Sequence, residues 1–481
     1  MEETIRNKHK TNIWKERLQE VQKEKKALQR INKRLETQSL ANKAEKEALK
    51  KALKKAESKQ IKVGKEVLGG DKPYRHKYPS SLLYLAIYYQ AIVGLSYRQV
   101  RLVILRLKVM LDLEMSVPSA SSVRNWVRKA AYYELKRGKS IEWGQSILII
   151  DESAGIGQEK MLLILRIKAE KVKKGSSLGF GDVEVLSVKS GKSWTGEQIA
   201  TEIGILKKRL NLEIKYVLSD RCSNLLKSCK VGGYRHVNDC THQQASYLEG
   251  YYSKAEDFQE LMKRVGKIRQ KWVNSKNSAL IAPNMRTKSR FLNLFEIVEW
   301  MRKILSAWEK LDTEVRIELA FLHQYDSLIK ELVCMLNLIK DLSAEFKTQG
   351  IDKNTQARVQ VIFDKANSKC PNILDFNLKI KAYIDNMRTD FDENDTILCC
   401  SDVIESLFGK FKNRNQQGTT QGITDDMMVM TLFNGDFNQE QIFQAMEKVK
   451  LADIDVWTKE NTVPSFAKTK NDYWRNLGTN N

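Results

Sequence analysis

Ser146-Ile147-Leu148-Ile149-Ile150-Asp151 runs an apolar stretch straight into an acid, and Tyr216-Val217-Leu218-Ser219-Asp220 repeats the pattern about 70 residues later. Short apolar, β-branched runs bounded by Gly and charged turns read as buried strands. Five such runs follow one another: Ser146 to Asp151, Met161 to Lys168, Asp182 to Val188, Glu213 to Ser219 and Tyr234 to Asp239. A helix from Thr195 to Leu210 is predicted between the third and fourth, with Thr195 and Gln198 placed as a capping box, and a short helix at Ser223 to Cys229 precedes the fifth. In a sheet of order β-β-β-α-β-α-β the first and fourth strands can be neighbours, which would bring Asp151 and Asp220 together at adjacent strand ends. Two carboxylates that close repel unless a divalent cation neutralises them, and oxygen-only ligation suits Mg²⁺ or Mn²⁺.

Working outward toward the C-terminus, residues 243–394 read as a helical insertion. Apolar side chains recur at helical spacing in Phe291, Leu294, Ile297, Val298, Met301 and Leu305, and again in Ile329, Leu332, Leu336 and Ile339. Residues 395–415 then form a turn and a last helix, within Ser401-Asp402-Val403-Ile404-Glu405-Ser406-Leu407-Phe408-Gly409-Lys410. Glu405 is the candidate third acid, with Asp402 one turn earlier on the same face. The basic Lys410, Lys412 and Arg414 follow, and 416–481 is a mixed tail region. After the fifth strand comes Asp239-Cys240-Thr241-His242, in which His242 is either a helix-start residue bonded to backbone or a group aimed at a phosphate.

Toward the N-terminus, residues 1–65 are rich in Lys, Glu, Leu, Gln and Ala, the composition of a long basic helix or coiled coil. Gly64, Gly69, Gly70 and Pro73 mark a linker. Three helical stretches across 75–140 have the pattern of a helix-turn-helix unit. The last of them carries Arg124, Asn125, Arg128 and Lys129 opposite the apolar Val123, Trp126 and Val127, so these four are the candidate DNA-contacting side chains. The alternative is a small helical linker domain with a solvated basic face.

The 82 Lys and Arg against 59 Asp and Glu leave 82 − 59 = +23, which favours a polyanionic partner, nucleic acid first. No apolar run approaches the roughly 20 residues of a spanning helix, and the start, Met1 to Lys10, is charged. An intracellular protein is expected, in the cytoplasm or nucleoid of a prokaryote or the nucleus of a eukaryote. Seven scattered cysteines predict no disulfide framework. Cys222, Cys229, Cys240 and His242 lie close in sequence, but no pair has the CxxC spacing that argues for zinc. Trp194 reads as a core residue ahead of a base-stacking one.

The strand order, the acids ending the first and fourth strands and the later acid on a helix resemble the RNase H-like core of DDE transposases. Asp151 and Asp220 match the first two carboxylates, and Glu405 the third, in the group whose core is interrupted by a helical insert, hAT-like elements among them. Asp239 and His242 resemble the C/D-x-x-H motif of such groups. The resemblance implies an α/β RNase H-like core (145–242 and 395–415) with a large all-α insert. It further implies two Mg²⁺ or Mn²⁺ ions held by Asp151, Asp220 and Glu405, and double-stranded DNA as partner, both element ends and target. It also implies cleavage followed by strand transfer and a homodimer or larger assembly on DNA. Two other readings keep part of this: an RNase H-like nuclease without strand transfer, and a non-catalytic DNA-binding regulator derived from a transposase.

Overall fold

The structure, a computed structural model, describes residues 71–137, 144–154, 159–172, 175–284, 294–366, 370–415, 423–464 and 466–477, with Lys33, Lys43, Glu47, Lys50 and Lys51 as isolated helical positions. Apart from those positions, the basic arm expected over 1–65, with its coiled coil, lies outside the described residues. The chain forms two compact units, 1–71 with 104–117 and 72–103 with 118–481. Of the described residues in the 75–140 range, 75–103 and 118–137 fall in the unit that holds the sheet, and 104–117 in the other.

Three helices come first, α1 (Ser80–Tyr88), α2 (Tyr97–Met110) and α3 (Ala120–Arg137). α3 buries Val123, Trp126, Val127, Ala130, Ala131 and Leu135, the i, i+3, i+4 stripe its sequence sets out. Five strands follow: β1 (Ser146–Ala154), β2 (Lys160–Lys168), β3 (Glu184–Gly191), β4 (Ile214–Ser219) and β5 (His236–Asn238). They form one mixed sheet of order β3-β2-β1-β4-β5. The β3–β2–β1 half is antiparallel and the β1–β4–β5 half parallel. α4 (Gly196–Leu210) connects β3 to β4, and α5 (Ser223–Gly232) connects β4 to β5.

The third and fifth strands start two residues later than expected, for local reasons. The third starts at Glu184 because Gly179 to Asp182 closes a 3₁₀ turn, the Asp182 carboxylate accepting from the Gly179 N–H at 2.8 Å. The fifth keeps three residues because Tyr234 is spent on the end of α5, its N–H reaching Cys229 O at 2.9 Å past a left-handed Gly233. At the other end Asp239 is spent on capping the next helix. Thr195 caps α4 as the sequence predicts, its hydroxyl accepting from Gln198 N–H while Gln198 Oε1 accepts from Thr195 N–H.

Alternation along the strands separates the two faces. Leu148, Ile150, Leu162, Ile164 and Val217 pack under α4 and α5 against Ile199, Ile203, Leu206, Leu210 and Leu225. Each such fully buried aliphatic side chain is worth roughly 1.5–3 kcal/mol of transfer free energy. Ile147, Ile149 and Asp151 therefore face the other way. On that side Tyr216, paired with Ile147, meets Phe391 edge-on at 5.3 Å, and its hydroxyl oxygen accepts from Leu398 N–H at 2.8 Å.

The helical insertion comprises α6 (Cys240–Tyr252), α7 (Glu256–Trp272), α8 (Leu294–Ser306), α9 (Thr313–Leu319), α10 (Asp326–Gln349), α11 (Thr355–Ala366) and α12 (Pro371–Arg388). α10 is its spine, packing against α6, α8 and α11 through buried residues such as Leu332, Met335, Leu342 and Phe346. The chain leaves α10 through Gly350, whose φ is +64° and whose Cβ, if it had one, would lie 2.7 Å from Ile397 O. Only glycine fits that turn. It sets up the antiparallel bridge Ile351–Ile397, which brings the chain back beside the sheet. α13 (Asp402–Asn415) then contacts β1, and a 3₁₀ stretch (Asp425–Leu432), α14 (Gln439–Lys448), α15 (Leu451–Asn461) and α16 (Phe466–Asn476) follow. α3 packs against the 3₁₀ stretch, α14 and α15. No helix among the described residues is long and apolar enough to cross a membrane.

Candidate active site

β1 and β4 run side by side in parallel and pair Ile147 with Tyr216, Leu148 with Val217 and Ile149 with Leu218. Two residues beyond that last pair stand Asp151 and Asp220, level with one another toward the same end of the two strands: Asp220 lies just past β4, whereas β1 does not end in its acid as expected but runs on to Ala154, still paired with β2. Burial first, and then the negative charge of Asp220, push the Asp151 carboxyl up to about 7, against the opposing hydrogen bond from the Glu152 N–H. That bond measures 2.7 Å. Asp220 turns the chain into α5, its Oδ1 accepting from Cys222 N–H at 2.9 Å. Just below it, Ser219 Oγ and His236 Nε2 are hydrogen-bonded at 2.8 Å.

The third acid comes from α13. Glu405 has a half-exposed side chain whose Oε1 lies 3.7 Å from His242 Nε2. Burial raises its carboxyl above the ordinary range while His242 opposes the rise. The charges of His242 and Glu405 both act on Asp151, so β1, β4, α6 and α13 each bring one titrating group to one place. Asp402, one turn before Glu405, also acts on it by its charge. It is ion-paired with Lys347 of α10 and borders a separate cavity of about 370 Å³, with Phe180, Cys400 and Ser406.

Asp239 links the two helices that meet here. Its carboxylate, 1% exposed, caps α6: Oδ1 accepts from His242 N–H at 2.8 Å and pairs with His242 Nδ1 at 3.1 Å. Oδ2 accepts from Ser401 N–H at 2.7 Å and from Ser401 Oγ at 2.8 Å, just ahead of α13. Burial works to raise this carboxyl, but the bonds from His242 and Ser401 outweigh it and hold it below the ordinary range. The Asp239 bond in turn pushes His242 up to about 9, against burial. At neutral pH the ring is thus an imidazolium between Asp239 and Glu405. His242 thus starts α6 with its N–H on the Asp239 carboxylate and turns its ring between Asp239 and Glu405.

Three cysteines that sequence spacing did not group lie behind Asp239. Cys240 N–H donates to Cys399 O at 2.8 Å. The ligand atoms of Asp239, Cys240 and Cys400 all lie within 4.8 Å of one another, a buried set that could hold a metal ion. Cys400 is 160 residues from Cys240 in sequence, so no spacing rule could have found the group. The sequence-adjacent set of Cys222, Cys229, Cys240 and His242 does not assemble, because Cys222 and Cys229 pack with the core under α4 and α5. All seven cysteines are thiols outside any disulfide.

The three cations on the expected DNA-contacting face of α3 are engaged within the protein. Arg124 pairs with Asp425 at 3.1 Å and Asp426 at 3.6 Å. Arg128, 12% exposed, pairs with Asp425 at 2.5 Å and Asp455 at 3.1 Å. Lys129 Nζ donates to Met446 O at 2.9 Å, and Asn125 is half-buried. The reason is electrostatic: the acids of the C-terminal segments neutralise a basic helix that the local sequence leaves looking bare. Lys410 and Arg414 likewise lie over the Phe433 ring, at 4.5 and 5.2 Å, and only Lys412 of the seven is exposed. Trp194 packs against the core under α4, in line with the core reading. Compared with protein-family models and with curated proteins, the sequence matches none of either.

Proposed function

We propose that this chain is a metal-dependent polynucleotidyl transferase of the DDE type, a transposase that cuts DNA at element ends and joins them to a target, with Asp151, Asp220 and Glu405 as its carboxylates. The observation that carries the reading is the parallel pairing of β1 and β4, where Asp151 and Asp220 stand side by side with Asp151 pushed up to about 7. Like charges held that close fit a site built for divalent cations, and hard oxygen donors fit Mg²⁺ or Mn²⁺. The sheet order β3-β2-β1-β4-β5, with the last pair parallel, and an acid returning on a helix after a helical insertion also support the RNase H-like reading.

Asp151, Asp220 and Glu405 would hold the cations, which when bound supply charge neutralisation on the attacking and leaving oxygens. His242, held by Asp239, keeps Glu405 turned toward the other two acids and adds a positive charge where a phosphate would arrive. In cleavage a water oxygen bonds to phosphorus as the P–O3′ bond breaks, one proton leaving the water and one joining the 3′ oxygen. In transfer that 3′ hydroxyl repeats the displacement on a target phosphodiester.

A second reading, a nuclease without strand transfer, is favoured by one observation: the α3 face that argued for sequence-reading is engaged internally. The test is Mg²⁺- or Mn²⁺-dependent cleavage of DNA carrying the terminal repeats, comparing wild type with Glu405→Gln and Asp402→Asn. Loss of cleavage, with DNA binding retained, is expected for Glu405→Gln alone; loss in Asp402→Asn alone would move the third acid by one turn. Cut ends that never join target DNA would favour the nuclease, and specific binding without cutting under any metal condition would leave a non-catalytic DNA binder.

A further inference from the structure

Behind the carboxylates, on the far side of Asp239, three buried donor atoms converge: a carboxylate oxygen of Asp239 and the sulfurs of Cys240 and Cys400. Their residues are 1%, 0% and 6% exposed. They come from the two segments that set the candidate active site, the β5–α6 junction and the stretch leading into α13. We propose that Asp239, Cys240 and Cys400 form a structural site for one soft divalent cation, with Zn²⁺ the ion their chemistry fits best.

Geometry is the first support. In a tetrahedral zinc site with Zn–S near 2.3 Å, neighbouring ligand atoms are roughly 3.8 Å apart. The three donors already lie within 4.8 Å of one another, so at most about an ångström of contraction closes the site. Thiolate ligands select a soft ion over Mg²⁺, which separates this site from the all-oxygen set at Asp151, Asp220 and Glu405.

Charge is the second. Asp239 is paired with His242, and the nearby Asp402 with Lys347. Two thiolates and one Zn²⁺ then add no net charge to the interior, where an unbalanced charge is costly. Asp239 accepts four hydrogen bonds, two at each oxygen. The neutral Ser401 hydroxyl bond is the one exchanged for the metal, leaving the N–H bonds that set the helix starts.

Access is the third. Cys400 borders the cavity of about 370 Å³ that Lys347, Asp402 and Phe180 also line. That cavity offers a way in for the ion and room for a fourth ligand, water or the Asp402 carboxylate. A cation here would fasten the start of α6, with His242, to the start of α13, with Glu405. It is a positioning device and does not depend on the transposase reading.

The experiment is metal analysis of the full chain purified without chelators. About one zinc per chain is expected, falling several-fold in Cys240→Ser and in Cys400→Ser and unchanged in Cys334→Ser and in Asp151→Asn. Because a serine variant in the core can fail to fold, wild type is also exchanged into Co²⁺, where thiolate-to-metal charge-transfer absorption is expected. Folded wild type that carries no zinc and develops no such band overturns the proposal. So does zinc retained in both cysteine variants, or a Cys240–Cys400 disulfide found in the protein as isolated. Retention of zinc by the inactive Asp151→Asn separates this site's fate from that of the carboxylates.

Discussion

Replacing Asp151 by Asn should make the metal-free protein more stable at alkaline pH. Burial and the neighbouring Asp220 push the Asp151 carboxyl from an ordinary 3.8 up to about 7. A folded-state value above the unfolded one means that the folded protein holds the proton more tightly. The stabilisation from that proton is complete below the ordinary value and is lost as pH rises through about 7. At ~1.4 kcal/mol per pKa unit, a shift of about three units sets a ceiling of ~4 kcal/mol on the loss, and screening of this partly exposed group brings it to about 2–4 kcal/mol. The amide keeps the acceptor oxygen used by Glu152 N–H and discards the charge. For a chain this long, roughly 1–2 °C per kcal/mol translates into a melting temperature a few degrees above wild type at pH 8 and indistinguishable from it near pH 4.

Divalent cations should remove most of this difference. Mg²⁺ at 100 times its dissociation constant stabilises the folded state by ~2.7 kcal/mol, which closes the gap for wild type at pH 8 and does little for Asp151→Asn. Thermal unfolding followed by circular dichroism at pH 4, 6 and 8, with EDTA and with Mg²⁺, reads all of this. An Asn variant less stable than wild type at pH 8 in EDTA, or an equal Mg²⁺ shift in both proteins, would refute the argument that the two acids are held together under charge strain.

Three other outcomes are expected. Asp239→Asn should drop the His242 ring from about 9 toward its ordinary 6.5, read by NMR titration of the imidazole. The stability that this pair contributes is full below 6.5 and lost as pH rises through about 9, so the gap to wild type should be wide at pH 6 and narrow at pH 10. Arg128→Ala should cost about 2–3 kcal/mol, because it weakens the pairing of Asp425, whose side chain is 7% exposed. Its folded fraction should bind DNA as wild type does, and a selective loss of DNA affinity without a stability change would return Arg128 to a DNA-reading role. Arg98 and Arg101 are exposed on α2. Replacing both by Ala should weaken duplex binding and reduce the slope of log affinity against log salt by about 1.8, at ~0.9 per phosphate contact; an unchanged slope would remove them from the DNA surface.

The parts that could be read from sequence are those whose determinants are local. Four apolar residues ahead of Asp151 and three apolar or small ones ahead of Asp220 specify two strands, of which β4 ends at its acid and β1 runs three residues past it, and the Thr195–Gln198 box specifies where α4 begins. Asp239 and His242 were likewise readable, since a cap and its N3 residue are three positions apart. A difference between Glu405 and Asp402 was not, because both share one helical face and what sets them apart is the pairing of Asp402 with Lys347, 55 residues upstream on α10. Ser401 and Cys400 were invisible for the same reason, acting only across the helical insertion of residues 243–394, which returns them to Asp239 and Cys240.

The basic face of α3 carries the broader lesson about charge. A net +23 describes the chain, whereas a phosphate meets only those cations left over after the protein's own acids are satisfied. Around α3 that remainder is small: Arg124 and Arg128 face Asp425, Asp426 and Asp455, all supplied from the C-terminal segments of the chain. On helical spacing alone Arg98, Arg101, Arg124 and Arg128 are equivalent, and the structure separates them by exposure and pairing. A cationic helix in a cationic protein is therefore an argument for a nucleic-acid surface only once the partners of each side chain are known. By that standard α2, rather than α3, is the helix on which to look for DNA.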